Sequence, residues 1–384
     1  MSLSNRAAIV GVGTTRFGKL PGSTAWSLQA EAVRNALADA GLRKDDVDGL
    51  FTESQFSEPL LLHGHLLGRM LGLSPNFLST QSLGGATACA LVQHAAMAVA
   101  GGMCEIALCV YGDNAKTGPP PIFGLAQMGR GQADEIAYGM LGGPIMEARS
   151  AMRYMHEFGA THEMLGSVAV AFREHAALNP DAQYGDPLTM EEYLAAPFVA
   201  EPLRKFDCTV TTDGAVALIL TSAERARDLA QAPVFVAGMG QAHNLDGLED
   251  REHYTRFAGA RSSERAYEMA GVGPDDVDTA QLYDCFTSTV LITLEDYGFC
   301  KKGEGGHFAL DGELRLGGEL PSNTDGGMLS GGNLTGWGQI AEAVRQLRGG
   351  CGERQVPDAE VAVVSGHGGF QAAHATLILT NEVR

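Results

Sequence analysis

Four short segments of this 384-residue chain bring polar or small residues together at spacings that suit chemistry. Residues 82–102, SLGGATACALVQHAAMAVAGG, and residues 324–350, TDGGMLSGGNLTGWGQIAEAVRQLRGG, each set a glycine-rich turn before a long helix-like run. Glycine lets backbone approach a ligand closely, and a helix N-terminus offers free N–H groups and the positive end of a dipole. Close helix–sheet packing would use the same glycines, but the occurrence of two such turns favours a shared site. A third segment, LYDCFTSTVLITLEDYGFC at 282–300, puts Tyr283 and Asp284 just after the strand-like DTAQLY. The fourth, VVSGHGGFQAAH at 363–374, sets His367 between glycines at the end of a strand. An imidazole there can act as an acid–base group or serve a structural role.

Other chemistries find no support. GVGTTRFG at 11–18 has glycines at 11, 13 and 18, so the dinucleotide fingerprint GxGxxG is not met. GxSxG and HExxH are absent. Seven cysteines (89, 104, 109, 208, 285, 300 and 351) follow no CxxC or His-paired spacing, which argues against a zinc site or a disulfide framework. With 27 basic and 46 acidic residues the net charge is −19, which excludes non-specific nucleic-acid binding. A local basic patch can still hold an anionic ligand. No apolar run reaches the ~18–20 residues that cross a bilayer. The start MSLSNRAAIVGVG has no charged region followed by an apolar one, so a cytoplasmic protein without membrane attachment is expected.

The elements that carry these segments repeat. ADAGLRKDDVD at 38–48 and EMAGVGPDDVD at 268–278 match at six of eleven positions. Each follows a helix-like stretch, the first beginning near Thr24 with Leu28, Val33, Ala36, Leu37 and Ala40 on one stripe and Gly41 as its stop. Strand-like AAIVGVG precedes one copy and APVFVAGMG the other, while GAVALILTSAE and AHATLILTNE close the two halves. Alternating strands and helices predict an α/β fold of two halves, 1–230 and 231–384. The first half carries an insertion at about 112–210, with helices around 145–178 and 190–197, that either covers a site or makes dimer contacts.

In this order, and over essentially the whole chain, these segments resemble the thiolase superfamily, most of all its sterol-carrier-protein and lipid-transfer-protein branch. YDCFTSTVLITLEDYGFCKKGEG resembles that branch's His-Asp-Cys-Phe segment, and DCTVTTDGAVALILTSAERA the segment closing its first half. SNTDGGMLSGGNLTG resembles the Asn-x-x-Gly-Gly…Gly-His-Pro-x-Gly segment, and VVSGHGG the Cys-x-Gly-x-Gly segment. The resemblance implies a duplicated fold stacked as αβαβα layers, a homodimer, a coenzyme A thioester as substrate and no bound cofactor. A conventional description would be thiolase or acetyl-CoA acetyltransferase.

Matching the segments puts the thiolase nucleophile at Gly85, the Gly-His-Pro histidine at Asn333, the second cysteine at His367 and the histidine of His-Asp-Cys-Phe at Tyr283. All three classical catalytic side chains are thus replaced. Cys89, one helical turn beyond Gly85, is either a displaced nucleophile or a buried structural thiol. Some lipid-transfer-protein relatives that lack the nucleophile, and carry Tyr in a Tyr-Asp-x-Phe segment, act as retro-aldolases on acyl-CoA with an OB-fold, zinc-ribbon partner. In them a second tyrosine stands where this chain has Asn333. The resemblance implies acid–base roles for Tyr283 and His367. Asn333 and the backbone N–H groups around Gly85 and Gly368 would then hold the developing enolate. Two further readings are a non-catalytic acyl-CoA-binding or scaffolding subunit and an acyltransferase using Cys89.

Overall fold

The structure, a computed structural model, describes residues 3–119, 139, 142–244, 254–369 and 372–383. Helix α1 (Ala25–Ala40) begins where Thr24 and Ser27 cap each other reciprocally and ends at Gly41, which adopts φ 69°. Its buried stripe includes Leu28, Val33, Ala36, Leu37 and Ala40. It packs across β1 (Ala7–Thr14), β4 (Ala107–Asn114) and β7 (Asp213–Ser222).

With β2 (Gly49–Glu53), β3 (Phe77–Gln81), β8 (Val234–His243), β9 (Thr279–Gln281), β10 (Val361–Gly368) and β11 (Ala373–Thr380), these strands form one mixed sheet. Its order is β3-β2-β4-β7-β1-β8-β11-β10-β9. A separate small pair joins β5 (Phe198–Ala200) to β6 (Leu203–Arg204).

The seam is the antiparallel contact of β1 with β8 at Ala8–Phe235 and Ile9–Val234. Outward from it the pattern repeats. β1–β7 and β7–β4 are antiparallel and β4–β2 parallel. On the other side β8–β11 and β11–β10 are antiparallel and β10–β9 parallel. β3 extends the first run, and its counterpart is a single parallel bridge, Ala280–Ser322.

Two helices lie between the runs: α3 (Thr87–Ala100) and α9 (Trp337–Leu347). α3 touches β2, β4 and β7 as well as β10 and β11, and α9 touches β9 and β10 as well as β1 and β7. Ile9, Val12, Leu218, Val364 and Leu377 face this central layer. Ala8, Val10 and Ile219 face α1 instead; the β-bulge between Ile9 and Gly11 shifts the alternation, so Val12 shares the face of Ile9. The outer face of the second run is covered by α5 (His162–Ala177), α6 (Gly259–Ala270) and α7 (Thr287–Asp296), with α8 (Gly305–Leu310) packed on α5 and α7. The result is the five-layer αβαβα arrangement expected from the sequence. The GxG of each first strand serves this packing: a β-carbon at Gly13 would strike the backbone of Ala32 and Ala36, and one at Gly240 that of Ser262 and Ala266.

Between β4 and β7 the chain runs through α4 (Gly143–Phe158), α5 and the β5–β6 pair, whereas β10 and β11 are separated by residues 369–372. Pro120 and Pro121 of the expected insertion lie outside the described residues. α4 is tied to α7 by Tyr154, whose hydroxyl donates to Glu295. Lys302 then bridges Glu295 and Asp296 at 2.9 and 3.3 Å. No helix among the described residues is long and apolar enough to cross a membrane.

Glu53 is a buried acid at the edge of the central layer. It ends β2, accepts from Trp337 Nε1 at 3.4 Å and leaves Oε1 without a hydrogen-bond partner among the described residues. Burial pushes its carboxyl up to about 8. A folded-state value above the unfolded one means the native state binds the proton more tightly. The resulting stabilisation is complete below the ordinary carboxylate range and is lost as pH rises through about 8. The melting temperature is therefore expected to fall between pH 6 and pH 9, by roughly 2 °C or more. Glu53→Gln should flatten that slope, as differential scanning calorimetry would register; an identical slope in the variant rules the assignment out.

Candidate active site

Because α3 and α9 share one layer, their first turns open on a common cavity of about 330 Å³. Neither N-terminus carries a side-chain cap: the caps are Ala86 and Gly336. Both helices thus direct uncapped N-terminal turns, with their positive dipole ends, toward the same space. Gly336 adopts φ 91°, and a β-carbon there would sit 3.3 Å from both the Gly85 carbonyl oxygen and Tyr283 Cδ2. On the opposite wall the end of β10 presses on the turn before α3, where Gly84 lies against the backbone of Gly368 and Gly369.

Gly85, Tyr283, Asn333, His367 and Gly368 all line this cavity. Tyr283 follows β9 and is fixed by its backbone N–H, which donates to Ser365 Oγ at 2.8 Å. Its ring lies over Gly85 so closely that a β-carbon at residue 85 would overlap Cζ and Oη. The space a residue-85 side chain would need is therefore filled by a phenol. Burial, reinforced by nearby Cys285, Glu53, Asp284 and Glu147, pushes the Tyr283 hydroxyl well above the usual tyrosine range. It stays protonated at neutral pH and is a proton donor.

Asn333 receives its position from Thr212, whose hydroxyl accepts its backbone N–H at 2.8 Å. Its Oδ1 accepts from the Thr335 N–H at 3.0 Å, which turns the amide so that Nδ2 remains available to donate. His367 is buried against Phe257, with ring centroids 4.7 Å apart, and near Tyr283 at 6.2 Å. Its Nε2 lies 3.7 Å from Glu147 Oε1.

Two residues noted in the sequence sit elsewhere. Asp284 does not line the cavity; it accepts from the Met328 and Leu329 N–H groups at 2.9 and 3.1 Å and from Gln339 Nε2 at 2.9 Å. It thereby pins the 327–331 turn to α9, and burial lifts its carboxyl to about 6 despite those donors. Cys89 is 1% exposed, points toward Gly366 and is not among the cavity-lining residues. Burial drives its thiol pKa upward, the opposite of what a nucleophile needs. Placement and ionisation both favour the other expectation for Cys89, a buried structural thiol.

Sequence reasoning missed Glu147, Asp113 and the wall of Phe56, Tyr111, Pro144 and Phe286. Glu147 was discoverable in principle, since it falls on the same stripe of α4 as the buried Ala151 and Tyr154, four and seven residues on. A charge inside an apolar stripe is a signal. Asp113 accepts from the Phe56 and Ser57 N–H groups at 3.0 and 3.2 Å and orders the loop after β2.

Beside this cavity lies a second one of about 820 Å³ that shares Ala115, Cys208, Thr209 and Thr211 with it. Lys116, Arg173 and Lys205 line it, with no carboxylate among the described lining residues. Lys116 and Arg173 lie 5.3 and 5.5 Å from the Tyr184 ring, and Lys205 lies 5.4 Å from Phe206.

Comparison with known proteins agrees with this architecture. Residues 240–381 match the family described as thiolase C-terminal domain-like. The chain is 42% identical over 372 residues to the 17-hydroxy-3-oxo-4-pregnene-20-carboxyl-CoA lyase of Mycobacterium tuberculosis, covering 90% of this chain and 92% of that protein. It superposes on the Ltp2-ChsH2(DUF35) aldolase with a TM-score of 0.89 and 38% identity over 99% of both chains. A monomeric SCP2-thiolase-like protein of Mycobacterium smegmatis shares the fold, with a TM-score of 0.77 at 21% identity over 98% of this chain and 78% of that one. By fold, sequence and the arrangement of its paired helices, the chain belongs to the sterol-carrier-protein-2-like branch of the thiolase superfamily.

Proposed function

We propose that this protein is an aldolase-type lyase that cleaves the Cα–Cβ bond of a 3-hydroxyacyl-CoA without a covalent acyl-enzyme. The observation that carries this reading is the Tyr283 ring over Gly85, a phenol in the space where an acyl-accepting side chain would stand. The similarity to a CoA lyase and to an aldolase supports the same chemistry.

His367 takes the proton of the 3-hydroxyl group. The Cα–Cβ bond then breaks as the carbonyl forms on the departing fragment, and its electron pair passes into the thioester as an enolate. Asn333 Nδ2 and the backbone around Gly85 and Gly368, with the positive dipole ends of α3 and α9 behind them, stabilise the enolate oxygen. The Tyr283 hydroxyl, held protonated by burial, delivers its proton to the α-carbon. The proton on His367 then restores the phenol. The products are a ketone or aldehyde and a shortened acyl-CoA.

The cationic second cavity suits the phosphates of the coenzyme, and the shared wall leads from it to the reacting end. Because the similar Ltp2 is found with ChsH2(DUF35), we propose a second protein for this chain also, of the expected OB-fold, zinc-ribbon type. A homodimer is supported by β3, which ends the sheet, and by exposed Leu66 and Met70 on the adjoining α2 (His63–Leu71) with Leu62 just before it.

Turnover of 3-hydroxyacyl-CoA substrates, followed by mass spectrometry of the released carbonyl compound, tests the reading with and without a co-expressed partner. Cys89→Ala should retain activity, whereas Tyr283→Phe and His367→Ala should each lose about 10²-fold or more in kcat. Gly85→Cys should be inactive and carry no acyl adduct, because its side chain and the Tyr283 ring cannot coexist. An adduct on any cysteine of the wild-type chain defeats the proposal. For the coenzyme end, the Lys116→Ala/Lys205→Ala pair should raise KM about tenfold or more with kcat nearly unchanged, and should weaken its salt dependence. An unchanged KM refutes this assignment of the cationic cavity.

A further inference from the structure

His367 is built into an unusual setting for a buried imidazole. Its side chain is 3% exposed, and neither ring nitrogen has a hydrogen-bond partner among the described residues. Phe257 covers one side, and His374, opposite it in the β10–β11 register, stands with its ring centroid 5.8 Å away. The titratable groups facing it are Tyr283 and Cys285 beyond β9, His374 on β11, Asp113 on β4 and Glu147 on α4. Asp113 is engaged by Ser57, Tyr111 and backbone N–H groups. His374 is kept uncharged by burial, with His367 acting in the same direction. Glu147 is the carboxylate on the imidazole, its side chain 4% exposed and its Oε1 at 3.7 Å from Nε2.

That carboxylate is held firmly from behind. Ala148 and Ala151 of α4 pack with Leu203 and Phe286, and Tyr154, seven residues on from Glu147, bonds to Glu295. The helix therefore has little freedom to rotate Glu147 away from the cavity. A separation of 3.7 Å is slightly long for a hydrogen bond, and such contacts tighten when substrate closes the site.

We propose that Glu147 is a positioning residue for His367: it accepts from Nε2–H, fixes the lone pair on Nδ1, and stabilises the imidazolium formed when His367 takes the substrate's hydroxyl proton. This rests on the aldolase reading above. The proton moves from the hydroxyl oxygen to Nδ1 and none passes to Glu147, so the stoichiometry of the cleavage is unchanged. The helix that supplies Glu147 belongs to the long excursion between β4 and β7, which gives that excursion a part in the chemistry and not only in covering it.

Glu147→Gln keeps the size of the side chain and removes its charge. In the full-length protein, with partner where one is needed, kcat should fall about 10–100-fold with KM changed less than about twofold. The acid limb of the pH–rate profile should move to lower pH by about one unit or more, because the imidazolium loses its counter-charge. Glu147→Asp should recover part of the rate, and thermal unfolding of both variants should match wild type. An independent readout is NMR titration of 13C-labelled histidine, with His367 assigned by its disappearance in His367→Asn; its pKa should be about one unit or more lower in Glu147→Gln. An unmoved imidazole pKa overturns the inference even where turnover is normal. Absence of turnover in the wild-type protein counts against the aldolase reading, and the titration still decides the role of Glu147.

Discussion

The geometry of the site follows from one packing constraint: two helices from two similar sheet runs must share a single layer. Each needs a strand surface below and above, and the fold about the β1–β8 seam supplies both. Once α3 and α9 are confined in this way, their starting turns meet, and neither turn can be capped by a side chain without filling the space between them. Unsatisfied N–H groups are usually a cost at helix ends. Here the starting turns of both helices face one cavity, and under the proposed reaction their positive dipole ends would favour the negative charge that develops there.

Electrostatics divides the interior by function. Around the reacting end, desolvation dominates. It raises the Tyr283 hydroxyl and the Glu53 and Asp284 carboxyls together, and Glu53, at about 8, is held largely uncharged at neutral pH. A few ångströms along the shared wall the balance reverses, and three cations gather over two aromatic rings. A ligand that is neutral at one end and polyanionic at the other is oriented by that gradient before any specific contact forms.

Much of this was legible in the residues. The echo of 38–48 in 268–278 marks the two helix stops that position α1 and α6 against their strands, and short-range chemistry of that kind repeats faithfully after duplication. Gly85, Asn333, His367 and Tyr283 could be brought to one cavity because each sits at the end of an element whose place in the layers follows from the repeat. Glu147 left only one trace, a charge on the apolar stripe of α4. It is one of 46 acidic residues, in the part of the chain that has no counterpart in the other half, so no symmetry argument reaches it. Asp284 misled in the opposite sense: its neighbours in sequence are catalytic candidates, yet its carboxylate is consumed by the 327–331 turn. Position along the chain reports the element, and only packing reports which way the side chain turns.

The interlock of Gly85 with Tyr283 also bears on how such a protein could change over evolutionary time. Restoring a cysteine at 85 while the phenol remains produces a collision, and removing the phenol first leaves a hole beside a bare glycine with no nucleophile to use it. The two positions, far apart in sequence, are therefore coupled: a side chain at 85 needs a smaller residue at 283, so both would have to change together.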